Sequence, residues 1–139
     1  MTWVFWAVLS AFFAGVTAIL AKIGVAGIDS NLATAVRTTV VLVFTWSIAL
    51  AASPVSSLKT LSRRTLLFLA LSGLATGLSW LCYFRALQLG QASKVAPVDK
   101  LSVVFAIVLA AVVLHEQLRW QHYVGGTLIL LGALILARA

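Results

Sequence analysis

Charge is scarce in these 139 residues, and acid is scarcer than base: three Asp or Glu stand against ten Lys or Arg, and charged residues make up only 9% of the chain. A soluble domain carries roughly a quarter of its residues charged, so a water-soluble globule is excluded. With 63% of residues hydrophobic, disorder is excluded too. The single cysteine, Cys82, permits no intrachain disulfide. No Cys-x-x-Cys pair or Cys/His cluster occurs, so no metal and no cofactor are expected. Three acids and two histidines supply no Ser/His/Asp, paired-carboxylate or metal constellation, which argues against an enzyme. Basic runs are missing beyond Arg63-Arg64, so the net charge of +7 does not build a nucleic-acid groove.

What is present is apolar length. The mean hydropathy of +1.11 belongs to integral membrane proteins. A helix needs about 20 apolar residues to cross the hydrocarbon core, and that length fits the chain five times, at about 2–21, 32–52, 65–84, 92–114 and 123–137. The first stretch lacks a basic flank and exceeds a signal peptide's apolar core, so it reads as a retained span. Asp29, Ser30 and Asn31 have the chemistry of a helix cap before the second span, and Ser53-Pro54 ends it. A barrel would need alternating polar and apolar residues, and none alternate. The fold class is therefore all-α, a polytopic membrane protein with five transmembrane helices.

Small residues recur at helical spacing (Ala7, Ala11 and Gly15; Gly73 and Gly77; Ser102, Ala106 and Ala110; Gly125, Gly126 and Gly132), offering faces for close helix packing. Trp3, Trp6, Trp46, Trp120 and Tyr123 fall near span ends, where aromatic belts form; Trp80 and Tyr83 fit a belt less well.

Five spans put the termini on opposite sides. Lys59, Arg63, Arg64 and Arg119 then lie on the N-terminal side and Lys22, Arg85, Lys94 and Arg138 on the other, four against four. Lys/Arg asymmetry orients membrane proteins, so near balance points to dual topology and an antiparallel pair. The alternative is that the cluster at Lys59, Arg63 and Arg64 fixes one orientation.

Arg37, Asp99 and Lys100 lie inside spans, where each costs about 2.5 to 3.5 kcal/mol. Arg37 sits about 7 to 8 Å past the start of its span at Leu32, and Lys100 about 12 Å past Ala92. The second and fourth spans start on the side where Lys22 and Arg85 end the first and third. Lys22, Arg37, Arg85 and Lys100 can therefore converge, with Asp29 and Asp99, on a cavity open to that side. Its cationic excess favours an anionic or carboxylate-bearing solute. Asp99 is then either a proton-coupling site or an ion-pair partner of Lys100 or Arg37. A structural bridge between Asp99 and Arg37 stands level with a transport role. Adjacent helical residues point about 100° apart, so Asp99 and Lys100 need not pair. Pro97 removes a backbone donor and can break the helix beside these charges. Glu116 with Arg119 reads as a loop salt bridge, and His115 and His122 as interfacial.

The segments Tyr83-Phe84-Arg85-Ala86-Leu87, Gly90 to Pro97, Leu114-His115-Glu116-Gln117-Leu118 and Gly125-Gly126 through Gly132 closely resemble the EamA repeat of the drug/metabolite transporter superfamily. The family's usual glycine before the glutamate is His115 here, and the first half resembles it through Lys22 and Arg37. Val98 to Ser102 looks like the short five-span members. The resemblance implies one EamA repeat, two copies of which assemble as an inverted (antiparallel) homodimer with the site between subunits, since ten-span relatives carry two inverted repeats in one chain. It implies a secondary active transporter or exporter of small metabolites in the bilayer of a bacterial inner membrane, with a small-molecule solute as its partner and no nucleic acid. Substrate-binding residues are then Arg37, Lys100, Lys22, Trp80 and Tyr83, with Asp99 as the proton-coupling or ion-pair residue and Pro97 as the helix break. The alternative is a non-transporting membrane subunit or regulatory partner of another membrane protein.

Overall fold

The computed structural model describes residues 2–53 and 60–138, so Pro54 and Lys59 lie outside the described residues. Among the described residues the chain is all-helical, with five stretches long and apolar enough to cross a membrane, which bears out the expected class. In order the helices are α1 (Trp3–Gly24), α2 (Ser30–Ala52), α3 (Arg63–Leu89), α4 (Ala92–Asp99), α5 (Ser102–Val113) and α6 (Trp120–Arg138); α4 and α5 together make the fourth span. The helices outrun the apolar windows: Lys22 lies in the last turn of α1, and α3 continues a turn past Arg85.

Two compact units are present, one made of the chain up to Ile23 with the part from Leu89 onward, the other of Gly24–Gln88. In the first unit α4 and α5 both pack on α6. The contact is close at Gly126, which is buried and faces the Ile107 side chain: a Cβ there would lie 3.8 Å from Ile107 Cδ1. Gly15, Gly73, Gly77, Gly125 and Gly132 meet nothing within 4 Å among the described residues, so α6 packs closely through Gly126 while the other glycines are left open.

Most apolar side chains are uncovered. Trp3, Phe12, Phe44, Leu78 and Phe105 are each more than half exposed, while Val25, Phe84 and Leu87 are buried. Burial in lipid needs no protein cover, so an apolar exterior is what a spanning helix presents. Polar residues inside the spans satisfy themselves locally. The hydroxyls of Thr34, Thr38, Thr39 and Ser47 donate to the carbonyls of Ser30, Thr34, Ala35 and Val43, one turn back.

The helix ends follow from local chemistry. Asp29, in an extended conformation, accepts the backbone N–H groups of Asn31 (2.9 Å) and Leu32 (3.0 Å) and caps α2. Ser62 Oγ accepts from Thr65 N–H at 3.0 Å and caps α3. At α6, Nδ1 of His122 accepts the Arg119 N–H at 3.0 Å while the His122 N–H donates back to the Arg119 carbonyl at 2.9 Å. The expected Glu116–Arg119 salt bridge does not form among the described residues. Both side chains are exposed, and an exposed pair gains too little to order two long side chains.

Candidate functional site

The residues singled out by the sequence fall into both units. In the unit of α2 and α3, Arg37 lies seven residues into α2, about 10 Å along it at 1.5 Å per residue. Its guanidinium carbon stands 4.0 Å from the centroid of the Trp80 ring and 5.7 Å from that of Phe84. Trp80 and Phe84 are four apart on α3 and so share a face, which Leu87 continues into the buried interior. A cation over an aromatic face is worth about 0.5 to 2 kcal/mol, more when water is excluded. Tyr83 is within electrostatic reach of the same guanidinium and packs edge-on against Phe84. Nη1 of Arg37 is buried and has no hydrogen-bond partner among the described residues.

The end of α3 is tied down within the same unit. Arg85 Nη1 donates to Gln88 Oε1 at 2.6 Å, and Gln88 Nε2 donates to the Ile28 carbonyl at 2.8 Å. One amide thus joins a cation to the loop that precedes α2.

In the other unit the fourth span breaks at Lys100-Leu101. Pro97 lacks the N–H that would meet the Ser93 carbonyl, yet α4 runs through it to Asp99 before the geometry changes. Lys100 and Leu101 then donate to Pro97 and Val98, three residues back, at 3.1 and 3.0 Å. Across this tightened turn Lys100 Nζ comes within 3.6 Å of Asp99 Oδ2, so the adjacent charges do pair, because the chain between them leaves α-helical geometry. Their side chains are 55% and 36% exposed. Lys22 Nζ donates to the Gly90 carbonyl at 2.7 Å and thereby fastens the end of α1 to the turn before α4.

Residues 1–138 match the EamA-like transporter family. The chain belongs to that family. It is a single-repeat EamA member, an integral multi-pass membrane protein. It is 50% identical over 136 residues to a protein of Sinorhizobium sp. described as an "uncharacterized transporter in cobO 3'region", covering 98% of this chain and 96% of that one. No solved structure matches it.

One local strain stands out. His115 has φ of +56°, a left-handed conformation that glycine adopts freely. It ends α5, with Leu114 and Glu116 N–H both reaching back to the Ala110 carbonyl. Sequence reasoning passed over three partners in this EamA chain: Phe84, Gln88 and the Gly90 carbonyl. The first was available from its spacing of four from Trp80. The other two are hydrogen-bond partners of residues distant in sequence, which no local pattern announces.

Proposed function

We propose that this EamA protein is a secondary active transporter or exporter of small metabolites, working as an inverted homodimer in a bacterial inner membrane and favouring carboxylate-bearing or anionic solutes. The observation that carries the proposal is Arg37: a permanent cation inside an apolar span, over the Trp80 ring, with a buried donor that has no hydrogen-bond partner among the described residues. Structural bridges spend their donors, whereas a solute site keeps one ready. The permanent positive charge at Arg37 favours an anion.

Asp99 is the proton-coupling residue in this scheme, because its partner Lys100 is positioned beside the helix break and both are exposed. Lys22, held by the Gly90 carbonyl, positions the start of α4 and adds charge near it. The inverted pair is supported by the odd number of spans: two such repeats joined end to end in one chain lie inverted, and a single repeat recovers that arrangement by pairing with a second copy of opposite orientation. It is also supported by the balance of basic residues across the two faces, and by the open surfaces at Gly73 and Gly77, which a second copy can approach.

Reconstitution tests this reading. Proteoliposomes should take up a carboxylate from a metabolite panel and respond to an imposed pH gradient. Absence of flux across the panel would overturn it, and isolation with a stoichiometric unrelated subunit would favour a regulatory role. Reporters on the C-terminus should signal from both sides of the membrane; a signal from one side alone removes dual topology.

A further inference from the structure

We infer that Arg37 is a single-point receptor for the carboxylate of a monoanionic solute with an apolar body, and that Trp80 is a positioning residue acting through Arg37 rather than a wall touching the solute. This deepens the carboxylate-transport reading and rests on it for the identity of the site.

The geometry distinguishes what each group can do. The guanidinium carbon lies over the Trp80 ring, 4.0 Å from its centroid, and 5.7 Å from the centroid of Phe84. An indole face covered by a guanidinium is not available to stack a solute. What the stack leaves usable is the edge of the guanidinium, where the N–H donors lie in plane and meet carboxylate oxygens. Nη1 is on that edge, buried and unpartnered among the described residues.

The surroundings limit what else can be recognised. The hydroxyls nearest along α2, Thr34 and Thr38, donate to the carbonyls of Ser30 and Thr34 at 2.8 and 2.7 Å. Ala33 and Val41 share the Arg37 face by helical spacing and bring no polar atom. Gln88 spends its oxygen on Arg85 and its nitrogen on Ile28. One cationic donor, with Tyr83 beside it and the neighbouring threonine hydroxyls already spent, suits one carboxylate on a largely apolar frame. A sugar needs many neutral partners, and a dianion needs a second cation.

The test is binding to the full-length protein in nanodiscs, with benzoate as the monocarboxylate, benzamide as its neutral isostere and phthalate as the dianion. Benzoate should bind more tightly than benzamide or phthalate. Arg37→Gln should weaken benzoate by about 10-fold or more, the scale of a charge-assisted hydrogen bond, and leave benzamide unchanged. Trp80→Leu should weaken benzoate by roughly 2- to 30-fold, the scale of a cation–π contact, again sparing benzamide, and Trp80→Phe should restore most of the loss. Arg37→Lys, which keeps the charge without the planar fork, guards against a folding defect and should fall between wild type and Arg37→Gln. Equal binding of benzoate and benzamide, no measurable benzoate binding, or equal loss of both probes in Trp80→Leu would overturn the inference. Benzoate binding with the expected variant pattern but no flux in proteoliposomes would overturn the transport reading and leave this one standing.

Discussion

Replacing Asp99 with asparagine removes one charge and almost no volume, and it separates two environments for the pair. At 3.6 Å two unit charges attract by roughly 1 kcal/mol in a water-like dielectric, and exposed pairs measure about 0 to 1 kcal/mol once ordering of the side chains is subtracted. Lys100 and Asp99 are 55% and 36% exposed. If that exposure is to a water-filled cavity, Asp99→Asn should cost no more than about 1 kcal/mol, a fall in melting temperature within about 4 °C for a chain of this size. If it is to lipid, the variant leaves Lys100 uncompensated in hydrocarbon, at about 2.5 to 3.5 kcal/mol. Thermal unfolding in detergent and in nanodiscs reads the difference. In proteoliposomes the variant should lose uptake driven by a pH gradient while keeping downhill exchange of the same carboxylate. A melting point lowered by more than about 10 °C in nanodiscs would refute the aqueous placement, and undiminished gradient-driven uptake would refute coupling through Asp99.

Three further substitutions probe the scaffold. His115→Gly should stabilise the protein by about 1 kcal/mol by relieving the left-handed backbone at φ +56°, and His115→Val should destabilise it; melting temperatures of the two should bracket the wild type. Asp29→Ala should cost about 0.5 to 2 kcal/mol through loss of the two cap bonds to Asn31 and Leu32, with Asp29→Ser recovering most of it in the same assay. Gly126→Ala should be accepted, since the new methyl meets Ile107 Cδ1 at ordinary contact distance. Gly126→Leu should loosen α6 from α5 at about 1 to 3 kcal/mol, seen as faster amide exchange in α6.

The spans were legible because apolar length is a one-dimensional signal. Five windows of about 15 to 23 residues survive any local error, and the cap at Asp29 lies where its side-chain chemistry puts it. The site was legible in its members more than in its bonds. Arg37 announces itself as a charge where charge is expensive, but nothing in the sequence says that its partner is the face of Trp80, since that depends on the rotation of α2 and α3 about their own axes. The pairing of Asp99 with Lys100 escaped a rule that holds only for unbroken helices. Pro97 signalled the break, and the change in geometry came three residues later because the helix tolerates one missing donor until the next turn. Lys22 reads as a cation at a span end, and its bond to Gly90 depends on a turn 68 residues away.

The tightened turn at Lys100-Leu101 also acts as a phase adapter. A chain with hydrogen bonds three residues back turns about 120° per residue and rises about 2.0 Å, against about 100° and 1.5 Å in an α-helix. Two such residues rotate α5 by about 40° relative to an uninterrupted continuation of α4 and push it about 1 Å further along. That azimuth is where Val104, Ile107 and Val108 join Gly126, Thr127 and Leu130 in lining a groove of about 160 Å³ between α5 and α6. Converting the turn to regular helix would therefore swing this row of side chains off α6 without changing any residue in it, so the placement of α5 is set by a few carbonyl bonds near the middle of the fourth span.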